Sequence, residues 1–159
     1  MKPTERTPES YAIWLAESPR EVDAWVAEVV MGWKWMSAGD DVPRLTDPRS
    51  IRAIGSLCER EGWRFAVSDA RPACDVVSAV DAPAYTTDAN AADLVRERVG
   101  LLERDFQVSW VYRVAVLSMQ SGMMVDAMIH ARPPHYVGAA WLLGDEVWRE
   151  LRERGTITP

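Results

Sequence analysis

Two short runs of the chain carry side chains suited to planar and anionic ligands. Trp33-Lys34-Trp35-Met36 sets one ammonium between two indoles. In an extended segment alternate residues share a face, so Trp33 and Trp35 point the same way there and apart on a helix. An indole stacked on a base or adenine ring supplies ~1–3 kcal/mol, and Lys34 then meets a phosphate. The bland alternative has Trp33 completing a core and Trp35 covering an edge. Tyr85-Thr86-Thr87-Asp88 stands just before a predicted helix. Free N–H groups and hydroxyls at such a terminus hold phosphate or carboxylate. Asp88 argues the other way, because its own carboxylate competes for the same dipole; an N-cap beside a packed tyrosine is the simpler reading.

The remaining reactive residue types form no recognisable frame. His130 and His135 lie either side of Pro133-Pro134. A zinc site needs three or four ligands. Asp126 shares a predicted strand face with His130, but four strand residues span ~13 Å, too far for one metal. No metal site is expected. Cys58 and Cys74 read as reduced thiols, Cys58 as a small core residue on a helix face. There is no phosphate loop, dinucleotide glycine pattern, nucleophile elbow or HExxH run. Neither a catalytic set nor a cofactor is expected.

These residues need elements to place them. Thr7 caps a predicted helix opening at Pro8, and Ser18-Pro19-Arg20-Glu21 reads as a capping box for the next. From there Val22, Trp25, Val26, Val29, Val30 and Trp33 repeat at one helical face. Residues 37–47 read as a loop. Asp47-Pro48 opens a helix with Ile51, Ile54 and Cys58 inward, ending near Gly62. Trp63–Ser68 alternates as a strand, and Val76–Val80 as a second short one. Asp81–Tyr85 is a predicted loop, and Thr87 the predicted cap of a helix running to about Val99. Phe106, Val108, Trp110, Tyr112, Val114 and Val116 alternate, and Val111 and Ala115 opposite them are apolar too. A turn at Gln120-Ser121-Gly122 returns the chain through Met123, Val125, Ala127 and Ile129. Pro133-Pro134 opens a final helix with Val137, Ala140, Trp141, Gly144, Val147, Trp148 and Leu151 along one stripe. A hairpin apolar on both faces calls for helices on both sides. The expected fold is therefore α+β: a three-layer α/β/α sandwich, with a small antiparallel sheet around the hairpin near 106–131.

Composition agrees with one domain over residues 1–159: the chain is 48% apolar and 26% charged, ordinary globular values. Its net charge of −6 repels phosphate backbones, so nucleic acid is not an expected partner. No apolar run approaches the ~20 residues that span a bilayer. The charged start, Met1 to Arg6, leads into no signal-type stretch, and an intracellular protein without membrane contact is expected. Eight tryptophans and seven methionines are more than a small core readily absorbs. Met119, Met123 and Met124 gather at the predicted hairpin turn, which suggests a homo-oligomer.

The segment from Glu21 to Trp33, ending in Val30-Met31-Gly32-Trp33, resembles the opening helix and signature of the phage ABA sandwich domain family. Pro83-Ala84-Tyr85-Thr86-Thr87-Asp88, followed by Ala91-Ala92, is similar to its second signature. The Ala139–Leu143 helix matches its ending in outline, although Pro133-Pro134-His135-Tyr136 replaces the usual opening of that helix. The resemblance covers residues 21–36 and 83–143, with 44–80 as an enlargement. It implies a sandwich fold, a phage origin and a place in the host cytoplasm, and it brings no catalytic residues. The expectation is a non-catalytic phage accessory protein that acts by binding. Its partner would be a small nucleotide-like molecule or immune signal, or a host protein. A structural or protein–protein interaction module without ligand is the alternative, and a nucleotide hydrolase a third. The candidate ligand-binding residues are Trp33, Lys34, Trp35, Tyr85, Thr86 and Thr87.

Overall fold

The computed structural model describes residues 2–37, 44–61, 66–67, 82–120 and 132–154. Among them are seven α-helices: α1 (Pro8–Glu17), α2 (Pro19–Trp25), α3 (Pro48–Glu61), α4 (Ala89–Val99), α5 (Arg104–Gln120), α6 (Pro133–Leu143) and α7 (Asp145–Glu153). Three short strands, β1 (Lys34–Ser37), β2 (Arg44–Thr46) and β3 (Ala66–Val67), form an antiparallel sheet in the order β2-β1-β3. The molecule is mostly helical, and the expected α/β/α sandwich is not its architecture.

Residues 104–120 are where the fold departs from that expectation. Phe106 to Val116 does alternate, but the same stretch carries Phe106, Trp110, Val114 and Leu117 at helical spacing. A helix satisfies its backbone hydrogen bonds internally, whereas a long strand needs a partner along its whole length. The segment is helix α5, with Trp110, Val114 and Leu117 buried and Val108, Val111 and Tyr112 exposed. The predicted turn after Gln120 and the returning strand lie outside the described residues, as do Cys74, His130 and the segment Val76–Val80. Of the strand predicted at Trp63–Ser68, only β3 is described.

Helix α6 is the centre of the packing. Val137, Gly138, Ala139, Ala140, Trp141 and Leu142 are all buried, as expected of a helix apolar all round. It packs chiefly against α5 and α4. Gly138 sits where a Cβ would collide with the Tyr11 ring and come within 2.8 Å of Leu117 Cδ1, so α1, α5 and α6 approach closely there. The predicted final helix is two helices: Gly144, at φ +96°, separates α6 from α7. Trp148 and Leu151 then turn inward on α7.

Six of the seven described tryptophans are buried and belong to one hydrophobic cluster running from Tyr11 to Leu151. The indole N–H groups of Trp110 and Trp148 donate to the Tyr136 and Ala140 carbonyls, each at 3.1 Å. The tryptophan excess is thus largely a core feature.

Helix starts follow the sequence closely. Thr7 caps α1: its Oγ1 accepts from the Ser10 amide at 3.1 Å, and Ser10 Oγ accepts from the Thr7 amide at 3.0 Å. Asp47 caps α3 through the Ser50 amide at 2.9 Å. Ser18 precedes α2, but its side chain makes no capping bond, so the predicted capping box is absent. Within the predicted loop 37–47, Arg44–Thr46 is strand β2, with Leu45 opposite Trp35.

Candidate functional site

Helix α2 runs on into a π-helical turn, Val26–Val30. The Met31 amide donates to the Val26 carbonyl at 3.0 Å and the Trp33 amide to the Ala27 carbonyl at 2.8 Å. That ending is wider than an ordinary helix terminus. Gly32 makes it possible by adopting φ +77°, a conformation costly for any residue with a Cβ. Trp33 therefore leaves the inward stripe predicted for it. It packs half-buried against the core and lines an open groove of about 650 Å³ beside Met31. That volume suits a small-molecule ligand.

Three other segments complete the groove. The start of α3 contributes Arg49 and Arg52, one helical turn apart, with Asp47 before them. The loop before α4 contributes Pro83 and Tyr85. Helix α4 contributes Leu94, Glu97, Arg98 and Leu101, a run at i, i+3, i+4 and i+7 that ends just past the helix. Leu94 and Leu101 are 42% and 45% exposed, so the groove has apolar as well as charged walls.

The three arginines set its electrostatics. Among the described residues, none of Arg49, Arg52 and Arg98 forms an ion pair. Burial pulls Arg98 down from its usual pKa, opposed by Tyr85 and Glu97. For Asp47, burial raises the carboxyl but the Ser50 hydroxyl and amide outweigh it, and it stays below the usual carboxylate range. Tyr85 lines the groove while only 1% exposed, so it gives the wall its shape more than an open stacking face. Burial and the Asp23 charge push its hydroxyl well above the usual phenol range, against the pull of Arg98.

A buried carboxylate fastens the Tyr85 loop. Asp23 is 1% exposed. It accepts from the Thr86 amide at 2.8 Å and pairs with Arg20 at 2.7 Å. Arg20 also donates to the Ala82 carbonyl. Burial raises the Asp23 carboxyl, opposed by Thr86 and Arg20.

Of the six residues expected to bind a ligand, the structure brings Trp33 and Tyr85 to this groove. The others lie elsewhere. Trp35 is buried in β1, and its indole N–H has no acceptor among the described residues. Lys34 is exposed on the same strand, Thr86 is buried and Thr87 is exposed. The start of α4 is, as in the simpler reading, a capped helix terminus beside a packed tyrosine and not an anion cradle. Its cap is Asp88 rather than Thr87, and the Asp88 carboxylate takes the Asn90 amide at 2.9 Å. Sequence reasoning missed the arginines. Their spacing was readable, one turn apart on α3 and amid a leucine-bearing face on α4, but nothing in the sequence tells that these residues line one groove.

No gathering of three or more His, Cys, Asp or Glu side chains fit for a metal occurs among the described residues, and no described helix is long and apolar enough to cross a membrane. Comparison with family models, with curated proteins and with solved structures found no match, the phage ABA sandwich family included.

Proposed function

We propose that this is a non-catalytic binding protein whose groove takes a small anionic, ring-bearing molecule of the nucleotide type. One observation carries the reading: Arg49, Arg52 and Arg98, without ion-pair partners among the described residues, surround a groove walled by the half-buried Trp33. Guanidinium groups suit phosphate oxygens because their planar N–H forks match them. An indole supplies a face for a ring. The exposed Leu94 and Leu101 supply apolar contact for the rest of the ligand. Calorimetric titration with nucleoside diphosphates tests this. Binding that weakens about tenfold in Arg52→Ala and in Trp33→Ala supports it, each variant losing one contact worth about 1.4 kcal/mol. Absence of binding by the native chain overturns it. The sequence resemblance adds a phage origin and a host-cytoplasm setting to this proposal.

A second reading, interaction with another protein or with a second copy, is favoured by the outer face of α5. Val108, Val111, Tyr112 and Met119 are 61%, 44%, 69% and 41% exposed and lie along one stripe. Light scattering behind a sizing column tests self-association. A mass at the monomer value of 17.9 kDa at tens of micromolar rejects the homo-oligomer.

A further inference from the structure

Resting on the groove reading above, we infer that the ligand presents a paired N–H donor edge of the kind guanine carries, and that Glu97 receives it. Helix α4 divides its charges in two. Asp93 pairs with Arg96 at 3.5 Å, away from the groove lining. Glu97 and Arg98, which line the groove, form no ion pair among the described residues. The other groove carboxylate is already engaged: Asp47 Oδ1 takes the Ser50 amide at 2.9 Å and Oδ2 the Ser50 hydroxyl at 2.6 Å. Glu97, which makes no hydrogen bond among the described residues, is the groove carboxylate with both oxygens open to paired donors from a ligand. A ligand offering only acceptors would satisfy the arginines and be repelled by Glu97. One that brings donors to Glu97 satisfies both signs of charge.

Among the common bases, guanine fits this requirement best. Its N1–H and exocyclic amino group lie side by side, at the spacing of two carboxylate oxygens. Adenine and cytosine set an amino group beside an acceptor nitrogen, and uracil sets one imide N–H between two acceptors. An acceptor facing a carboxylate oxygen is unfavourable, so the same residue that welcomes guanine disfavours the others. Three guanidinium groups then face the phosphates, and Trp33 the ring.

The experiment is calorimetric titration of the full chain with GDP, ADP and inorganic phosphate, repeated on Glu97→Gln. The substitution keeps the shape but replaces one acceptor with a donor. GDP is expected to bind at least about tenfold more tightly than ADP. In Glu97→Gln that preference is lost, with GDP binding weakened and ADP binding no weaker than in the native chain, and Glu97→Ala behaves likewise; Glu97 is exposed, so the circular dichroism spectrum is expected to be native. Equal binding of GDP and ADP by the native chain, or a preference that survives in Glu97→Gln, overturns the guanine inference and leaves the groove reading standing. If neither nucleotide binds, both fall. Binding of inorganic phosphate as tight as GDP assigns the groove to a simple anion and overturns the inference.

Discussion

Trp25 and Asp145, on helices far apart in the chain, meet through a 2.9 Å hydrogen bond from the indole N–H to Oδ1. The same carboxylate receives Arg6 at 2.6 Å and Lys2 at 3.4 Å. Arg6 also donates to the Trp141 carbonyl at 2.6 Å and lies 5.0 Å from that indole's centroid. One aspartate at the start of α7 thus ties down the N-terminal segment, α2 and α6.

Asp145→Ala should lower stability by about 2 kcal/mol, because it leaves the buried Trp25 N–H without an acceptor. Urea denaturation measures this. The carboxyl also makes stability depend on acid. Burial raises its pKa, but the bonds from Arg6 and Trp25 outweigh burial and leave it below the ordinary 3.8. A group depressed on folding contributes stability above its unfolded pKa and loses it as pH falls through the folded value. The native chain should therefore lose stability below about pH 4, and Asp145→Asn should lose less over that window. An acid limb of equal steepness in the two would show that other carboxyls set it.

His135 predicts a second, milder dependence. Its Nδ1 accepts from the Arg132 amide at 2.9 Å, so the neutral ring carries its proton on Nε2. Burial, helped by the Arg132 charge, holds its pKa below the ordinary 6.5. The unfolded chain takes up the proton first as pH falls, so stability should fall from about pH 6.5 downward. His135→Ala should be less stable at pH 7 and should lack this slope. Melting temperatures recorded between pH 5 and pH 8 decide it.

The two N-caps should behave differently. Thr7→Ala removes a reciprocal capping pair and should cost about 1 kcal/mol, the usual value of a cap. Ser18→Ala removes no capping bond and should cost no more than about 0.5 kcal/mol, as for a surface substitution away from special contacts. Denaturation midpoints of the two variants make the comparison, and equal losses would contradict the assignment.

Gly138→Ala should destabilise by about 1–3 kcal/mol, the usual cost of overpacking. The added Cβ would strike the Tyr11 ring and Leu117, and relief requires α1 or α5 to move away from α6. A chemical melt checks the prediction, and an unchanged midpoint would mean that the packing there gives way at little cost.

The start of α1, the carboxylate cap of α3 and the Pro133-Pro134 opening of α6 were legible in the sequence. Each is set by a proline or by a short polar side chain acting on backbone a few residues away, so neighbours in the chain suffice to specify it. The core stripe of α2 was legible for the same reason up to Val30. What tertiary structure decided lies beyond that range. Residues 104–120 satisfy two periodicities at once, and packing against α6 selects the helical one. Trp33 departs from its stripe because a π-turn and Gly32 redirect the chain. Arg49, Arg52 and Arg98 share a groove only because the start of α3 and one face of α4 line the same space, a long-range arrangement that no local pattern encodes.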